Sequence, residues 1–271
     1  MNAGRAPEEY WDTSITQTTP EAIRVRGYDL GELISGRSFA DTVHLLLLGE
    51  LPSPARRRLV EAIMVASVDH GLRAPSVGAV RIAASCGLPV NHAMASAVNI
   101  LGDVHGGAGQ QLLEDLDALL ARIDAGEFDQ EDAARSYVAD NKRRRRRIPG
   151  FGHPYHRRRD PRRDPVMDLA ADAVRSGDVA GRHVGLVEAI ERELGTVPMN
   201  VDGAAAAVCG ELGMTPAMAR GMFVVARSAG LLAHAIEESG QPTVLKSVLP
   251  PWIDPPYSGS GPRTLPADAA P

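Results

Sequence analysis

Helix punctuation dominates this chain and sets the class of fold open to it. In "SFADTVHLLLLGELPSPARRRLVEAIMVASVDHG", Ser38 stands before an apolar run with Asp41 three residues on, and Gly49 follows the run. Ser53 and Pro54 then open a second run that Gly71 closes. A hydroxyl at the N-cap accepts a free N–H, the carboxylate three residues later completes a capping box, and proline suits the first turn. Glycine accepts the left-handed residue that ends a helix, so the stretch predicts a helical hairpin. The same signals recur in "TPAMARGMFVVARSAGLLAHAIEESGQP", where Thr215 and Pro216 open a long helix and Gly240 with Pro242 closes it. Further helices are expected at "VGAVRIAAS", "VNHAMASAVNIL", "GAGQQLLEDLDALLARID", "EDAARSYVADNKRRRRR", "RRDPVMDLAADAVRSG" and "HVGLVEAIERELG". Strand-like alternation occurs only near "AIRVRGYDL", so the expected class is mostly α. At 271 residues the chain can form one large domain or two smaller ones sharing an interface.

Charge narrows the function classes. The formal charge is −5, yet residues 142–163 hold eleven basic side chains and one acid, Asp160. That island of +10 leaves −15 on the remainder. A basic island in an acidic protein favours a local anionic ligand, a phosphate or a carboxylate, over a long polyanion. Two cysteines, Cys86 and Cys209, form no metal-binding or disulfide framework, which fits a cytoplasmic protein. The N-terminal "MNAGRAPEEYW" has no apolar signal core, and the apolar runs are too short or interrupted to span a membrane. The tail after Leu249, rich in Pro, Gly and Ser, reads as an extended arm.

Three loop or loop-edge histidines stand out: His70, expected at the end of a helix, His105 in "GDVHGGAG" and His153 in "GFGHP". Glycines around His105 let the backbone turn tightly at the mouth of the next helix, presenting the ring to a ligand or forming a plain connection. Asp202, before "GAAAAV", reads either as an N-cap or as a functional carboxylate. The two roles differ electrostatically, because capping lowers a carboxylate's pKa and a general base gains from desolvation that raises it. Arg227 lies inside the apolar "MFVVARSAGLLAHAI", where its charge needs an anion, from a buried acid or from a substrate. His234 is seven residues on, near the same helix face. No HxxxH or HxH pair, P-loop, nucleophile elbow or dinucleotide fingerprint occurs, so no metal site is expected.

Taken together and in this order, "VHGGA", "PGFGHPYHRRRDPR", "NVD" and "ARSAGLLAH" resemble the citrate synthase family. "RVRGYDLGEL", "SFADTVHLLLLGELPS" and "RIPGFGHP" look closer to its short, citryl-CoA-lyase-like members. The resemblance implies a mostly helical fold with a large domain at 1–104 and 206–271 and a smaller closing domain at 105–205. It implies a homodimer acting on an acyl-CoA and a small 2-oxo dicarboxylate, with coenzyme A as the only cofactor. Asp202 would take the α-proton of acetyl-CoA, His105 would hydrogen-bond the thioester oxygen, and His153 would polarise the ketone of oxaloacetate. His70, Arg162 and Arg227 would hold carboxylates, and Arg157 would meet the CoA phosphates. Run forward this is a Claisen-type condensation to citrate; run backward it cleaves citryl-CoA.

Departures from the family pattern sit at the edges of the site. Gln241-Pro242 stands where the family carries an arginine before proline that reaches the partner's site, with Lys246 and Arg263 as candidate substitutes. Asp103-Val104 replaces a proline-leucine before the histidine. A non-catalytic CoA-sensing or nucleic-acid-binding module on the same fold is the competing reading, motivated by Gln241 and the arginine runs.

Overall fold

A computed structural model describes residues 12–242, 245–249, 252–256 and 258–264. The N-terminal stretch read above for a signal core lies outside the described residues, and so does part of the expected C-terminal arm. Eleven α-helices occur among the described residues: α1 Leu30–Gly36, α2 Phe39–Leu48, α3 Pro54–Ser67, α4 Pro75–Ser85, α5 Val90–Val98, α6 Ala108–Asp124, α7 Gln130–Arg143, α8 Arg163–Arg175, α9 Arg182–Leu194, α10 Val201–Glu211 and α11 Pro216–Ser239. The class is mostly α, as the punctuation predicts. A small antiparallel sheet, β1 Thr16–Thr18, β2 Ile23–Val25 and β3 Tyr28–Asp29, precedes the helices. β2 and β3 fall in the expected stretch, and β1 is an addition. Arg26 (φ 50°) and Gly27 (φ 88°) form the two-residue turn that pairs Val25 with Tyr28.

Local signals are realised where neighbours do not override them. Ser38 Oγ accepts from Asp41 N at 3.2 Å while Asp41 Oδ2 accepts from Ser38 N at 3.0 Å, and Gly49 ends α2 at φ 86°. Ser53 and Thr215 cap α3 and α11 ahead of Pro54 and Pro216. Gly71, by contrast, does not close α3, which ends at Ser67. Here α11 crosses so closely that a Cβ on Gly230 would lie 2.3 Å from Val68 O, and Arg227 Nε donates to Ser67 O at 3.0 Å. The last carbonyls of α3 are engaged by another helix, and a short 3₁₀ turn, Gly71–Arg73, follows His70. α7 ends at Arg143, so the rest of that arginine run is exposed loop: Arg143 and Arg144 pair with Asp140, and Arg146 with Asp115.

Two apolar clusters organise the helices. The larger joins α2 and α3 to α6–α11 through side chains such as Leu59, Leu112, Leu116, Leu186 and Ile190. The smaller packs Val77 and Val80 of α4 and Ala93 and Ala97 of α5 on Leu231 and Ala235 of α11. α11 serves both clusters, and Arg227 lies between its two apolar ends. α10 runs through the larger cluster, buried on nearly every side, with α3, α6, α8 and α9 packed around it. Its Gly-Ala composition admits that many neighbours.

One contact fixes the loop before α8 onto α10. A Cβ on Gly203 would lie 2.6 Å from Gly150 O, and Gly150 itself has φ +78°. Asn200 N donates to that same Gly150 oxygen at 2.9 Å. We expect Gly203→Ala to cost about 3 kcal/mol, since rigid backbone, and not the Met199 side chain alone, blocks the methyl group. Gly177→Ala, at φ +77° in open space, should cost about 1 kcal/mol. Urea unfolding of the two variants checks the contrast, and equal costs would contradict it.

Candidate active site

Between the turn after α3, the loop before α6, the loop before α8 and the start of α10 lies a cavity of about 320 Å³. Its lining includes His70, His105, His153, Arg162, Asp202 and Arg227, six of the seven residues to which the family resemblance gives a role. The seventh, Arg157, is exposed on the same loop as His153 and does not line the cavity. Arg73, Tyr155 and Phe223 complete the polar and aromatic wall. A larger groove of about 610 Å³ runs between α3 and α8, contains no histidine and shares Arg162 with this cavity.

Backbone donors set the tautomers of two histidines. His105 Nε2 lies 3.3 Å from Ser76 N and 3.0 Å from Ser76 Oγ. An amide can only donate, so Nε2 carries the lone pair and the neutral ring bears its proton on Nδ1. Ser76 is in the first turn of α4, where N–H groups lack intrahelical partners and disfavour a positive ring. His105 titrates below the ordinary histidine range through burial and the Arg227 charge. At His153 the pattern is reversed: Nδ1 accepts from Tyr155 N at 3.1 Å and His156 N at 2.9 Å, leaving Nε2–H as the donor. Burial and His156 lower its pKa as well. Glycine makes the His105 turn possible, because a Cβ on Gly106 (φ +94°) would lie 2.7 Å from the Phe223 ring.

His70 Nε2 meets His156 Nε2 at 3.1 Å. One ring donates and the other accepts, a pairing available to neutral imidazoles. Burial first, then Arg162, His153, His156 and Arg227, push the His70 pKa down to about 4. Its backbone is held by Asp69, which also accepts from Gly71 N at 3.0 Å and pairs with His234 at 3.3 Å. His234 therefore supports the turn from behind and does not line the cavity.

The two arginines are held differently. Arg162 grips Asp160 through Nε at 2.9 Å and Nη2 at 2.8 Å, and Asp160 also accepts from Val201 N at 3.1 Å. Those donors hold the Asp160 carboxyl at about 2, although burial alone would raise it. Arg227 is 3% exposed, gives Nε to Ser67 O and stacks on Phe223 with Cζ 4.8 Å from the ring centre. Among the described residues no carboxylate lies within 4 Å of it, so the buried-acid alternative is not realised. Its guanidinium lines the cavity.

Asp202 is not the N-cap of α10. Asn200 is, accepting from Asp202 N at 2.9 Å and Gly203 N at 3.3 Å. The cap falls two residues earlier because Asn200 is already anchored by its Nδ2, which donates to Gly152 O at 2.6 Å. The Asp202 carboxylate accepts no hydrogen bond among the described residues, and burial raises its pKa against the opposing charges of Arg162 and Arg227. A carboxylate that is desolvated and unpaired is a stronger base than a capping one.

Sequence reading missed Asp160, Ser76, His156, Asn200 and Arg73. Asp160 sits in the quoted DPR motif, and its partner Val201 is 41 residues away. Among the described residues no cluster of His, Cys, Asp or Glu is arranged to hold a metal, and no helix is long and apolar enough to cross a membrane. Lys246 pairs with Glu238 and Gln241 at the far end of α11, and Arg263 with Ser260, so neither lines this cavity.

His70 gives a pH prediction. Its ordinary value is 6.5 and its folded value about 4, so between those limits the unfolded chain binds a proton that the native state does not. Stability should therefore fall as pH drops from 6.5 towards 4. His70→Asn should show a shallower loss across that window in urea titrations, and an unchanged slope would contradict the assignment.

The citrate synthase C-terminal domain matches residues 51–246, a stretch that contains all six cavity residues. The chain is 29% identical over 220 residues to the citrate synthase of Haloferax volcanii, covering 79% of this chain and 55% of that protein. It spans about half the length of the first curated relatives it matches. A citryl-CoA lyase from Hydrogenobacter thermophilus superposes with a TM-score of 0.82 at 34% identity, covering 95% of this chain and 98% of that one. Citrate synthase from Thermoplasma acidophilum, in a ternary complex with carboxymethyl coenzyme A and oxaloacetate, shares the fold at TM-score 0.65 and 18% identity, covering 83% of this chain and 59% of that one. With its motifs, fold and cavity in agreement, the chain belongs to the citrate synthase family.

Proposed function

We propose that this protein makes or breaks the carbon–carbon bond between the acetyl group of a CoA thioester and the ketone carbon of oxaloacetate. The observation that carries the reading is the pairing of an unpartnered, desolvated Asp202 with the Nδ1–H of His105 in one cavity. In condensation, Asp202 takes the α-proton while His105 Nδ1–H donates to the thioester oxygen, where the enolate charge develops. The enolate carbon attacks the oxaloacetate ketone, whose oxygen receives a hydrogen bond from His153 Nε2–H. His70, Arg162 and Arg227 hold the carboxylates and fix the reacting carbons in range. In cleavage the citryl-CoA hydroxyl gives its proton to water, the resulting alkoxide, held by His153 Nε2–H, collapses to the ketone and expels the enolate, and protonated Asp202 gives its proton to that carbon and is left as the carboxylate.

Greater similarity to the citryl-CoA lyase than to the synthase complex favours cleavage as the physiological direction. Arg157 is proposed to meet the CoA phosphates from the exposed side of the histidine loop. Residues 105–205 are proposed as the closing domain. That division puts His105, His153, Arg162 and Asp202 on one side and His70 and Arg227 on the other, so closure would complete the site. The working unit is proposed to be a cytoplasmic homodimer. Exposed Leu232 and Ile236 on α11 and Val90 on α5 offer apolar surface for a second copy.

Purified protein offered citryl-CoA should release oxaloacetate and acetyl-CoA, and offered acetyl-CoA with oxaloacetate should form citryl-CoA, with free thiol released where water then cleaves the thioester. Asp202→Asn should lower either rate on the order of 10²–10⁴-fold with the far-ultraviolet circular dichroism unchanged. An inert wild-type protein in both assays, or an Asp202→Asn variant at full rate, would sink the proposal.

A further inference from the structure

The cavity holds three guanidinium groups, and their engagements differ. Arg162 spends Nε and Nη2 on the buried carboxylate of Asp160, which leaves fewer of its N–H groups for a ligand. Arg227 spends only Nε, on Ser67 O, and faces the cavity from the floor. Arg73 comes from the 3₁₀ turn that follows His70 and stands at the rim, exposed. Its Cζ lies 4.1 Å over the centre of the Tyr155 ring, across from the histidine loop. Among the described residues no carboxylate lies within 4 Å of it.

Stacking on an aromatic face orients a guanidinium without consuming its in-plane N–H groups, which stay free for a bidentate anion. Tyr155 is itself set edge-on against His156, with ring centres 5.1 Å apart, and His156 meets His70. Arg73 is thus aimed by an aromatic platform rather than by an acid. The cavity then offers two uncommitted guanidinium ends, Arg227 inside and Arg73 at the rim, with Asp202 as the lining carboxylate.

We propose that Arg73 is a specificity-determining residue that binds the second carboxylate of a dicarboxylate substrate, while Arg227, with Arg162 and His70 beside it, binds the first. This rests on the function proposed above and deepens it, because it explains selection of a 2-oxo dicarboxylate over a 2-oxo monocarboxylate. A charge-assisted contact of this kind sets a discrimination of about ten- to a hundredfold. A CoA phosphate is the other anion that could reach a rim arginine, so the test separates the two.

Calorimetric titration of the full-length protein with oxaloacetate, with pyruvate and with free CoA reads each contact directly. Arg73→Gln should weaken oxaloacetate binding about ten- to a hundredfold, leave pyruvate and CoA affinities within twofold, and be partly restored in Arg73→Lys. Arg227→Gln should weaken both oxo acids. Unchanged oxaloacetate affinity in Arg73→Gln, or a loss confined to CoA, overturns the assignment of Arg73 while leaving the reaction in place. A wild-type protein that binds neither oxo acid overturns both.

Discussion

The site depends on one buried carboxylate. Asp160 is 1% exposed and accepts from both the side chain and the backbone N–H of Arg162 and from Val201 N at the start of α10. It therefore holds the histidine loop, the cavity arginine and the helix bearing Asp202 in one relation. A buried charge is tolerable only when its hydrogen bonds are complete, and removing one partner of such a pair costs about 3–5 kcal/mol. That penalty makes the arrangement nearly all-or-none. The Gly150–Gly203 contact and the Asn200 hydrogen bonds repeat the coupling through backbone.

On that frame the groups proposed for catalysis are tuned by what they are denied. Among the described residues Asp202 has no hydrogen-bond donor on its carboxylate and Arg227 no acid within 4 Å, and burial lowers the pKa of His105 and His153, which favours their neutral rings. Each lack is a physical preparation: a base without donors is stronger, a cation without an anion binds one, and a neutral ring donates from a fixed nitrogen. Backbone amides settle the histidines. They hold one proton state without a carboxylate that would compete with an anionic substrate.

Much of this was legible in sequence because much of it is local. Capping boxes, proline at first helical turns and the positive-φ turn at Gly49 depend on neighbours within four residues, and they formed as read. The cost of an arginine inside an apolar helix likewise marked Arg227 as needing an anion. What escaped reading was decided at long range. The end of α3 is set by Arg227 and Gly230, some 160 residues away. The choice between Asn200 and Asp202 as cap turned on a hydrogen bond to Gly152, because both residue types cap equally well. Ser76 and Arg73 had no local signal, since their roles come from His105 and Tyr155 facing them across the cleft.

The central claim is that the converging histidines, arginines and Asp202 handle one acyl-CoA and one oxo acid together. A crystal structure with oxaloacetate and carboxymethyl-CoA bound tests it most directly. The account predicts one oxaloacetate carboxylate on Arg227 with Arg162 beside it and the other on Arg73, its ketone oxygen at His153 Nε2, and the acyl carbon of the analogue beside Asp202 with its oxygen at His105 Nδ1. Ligands seated instead in the groove between α3 and α8, with this cavity empty, would contradict it.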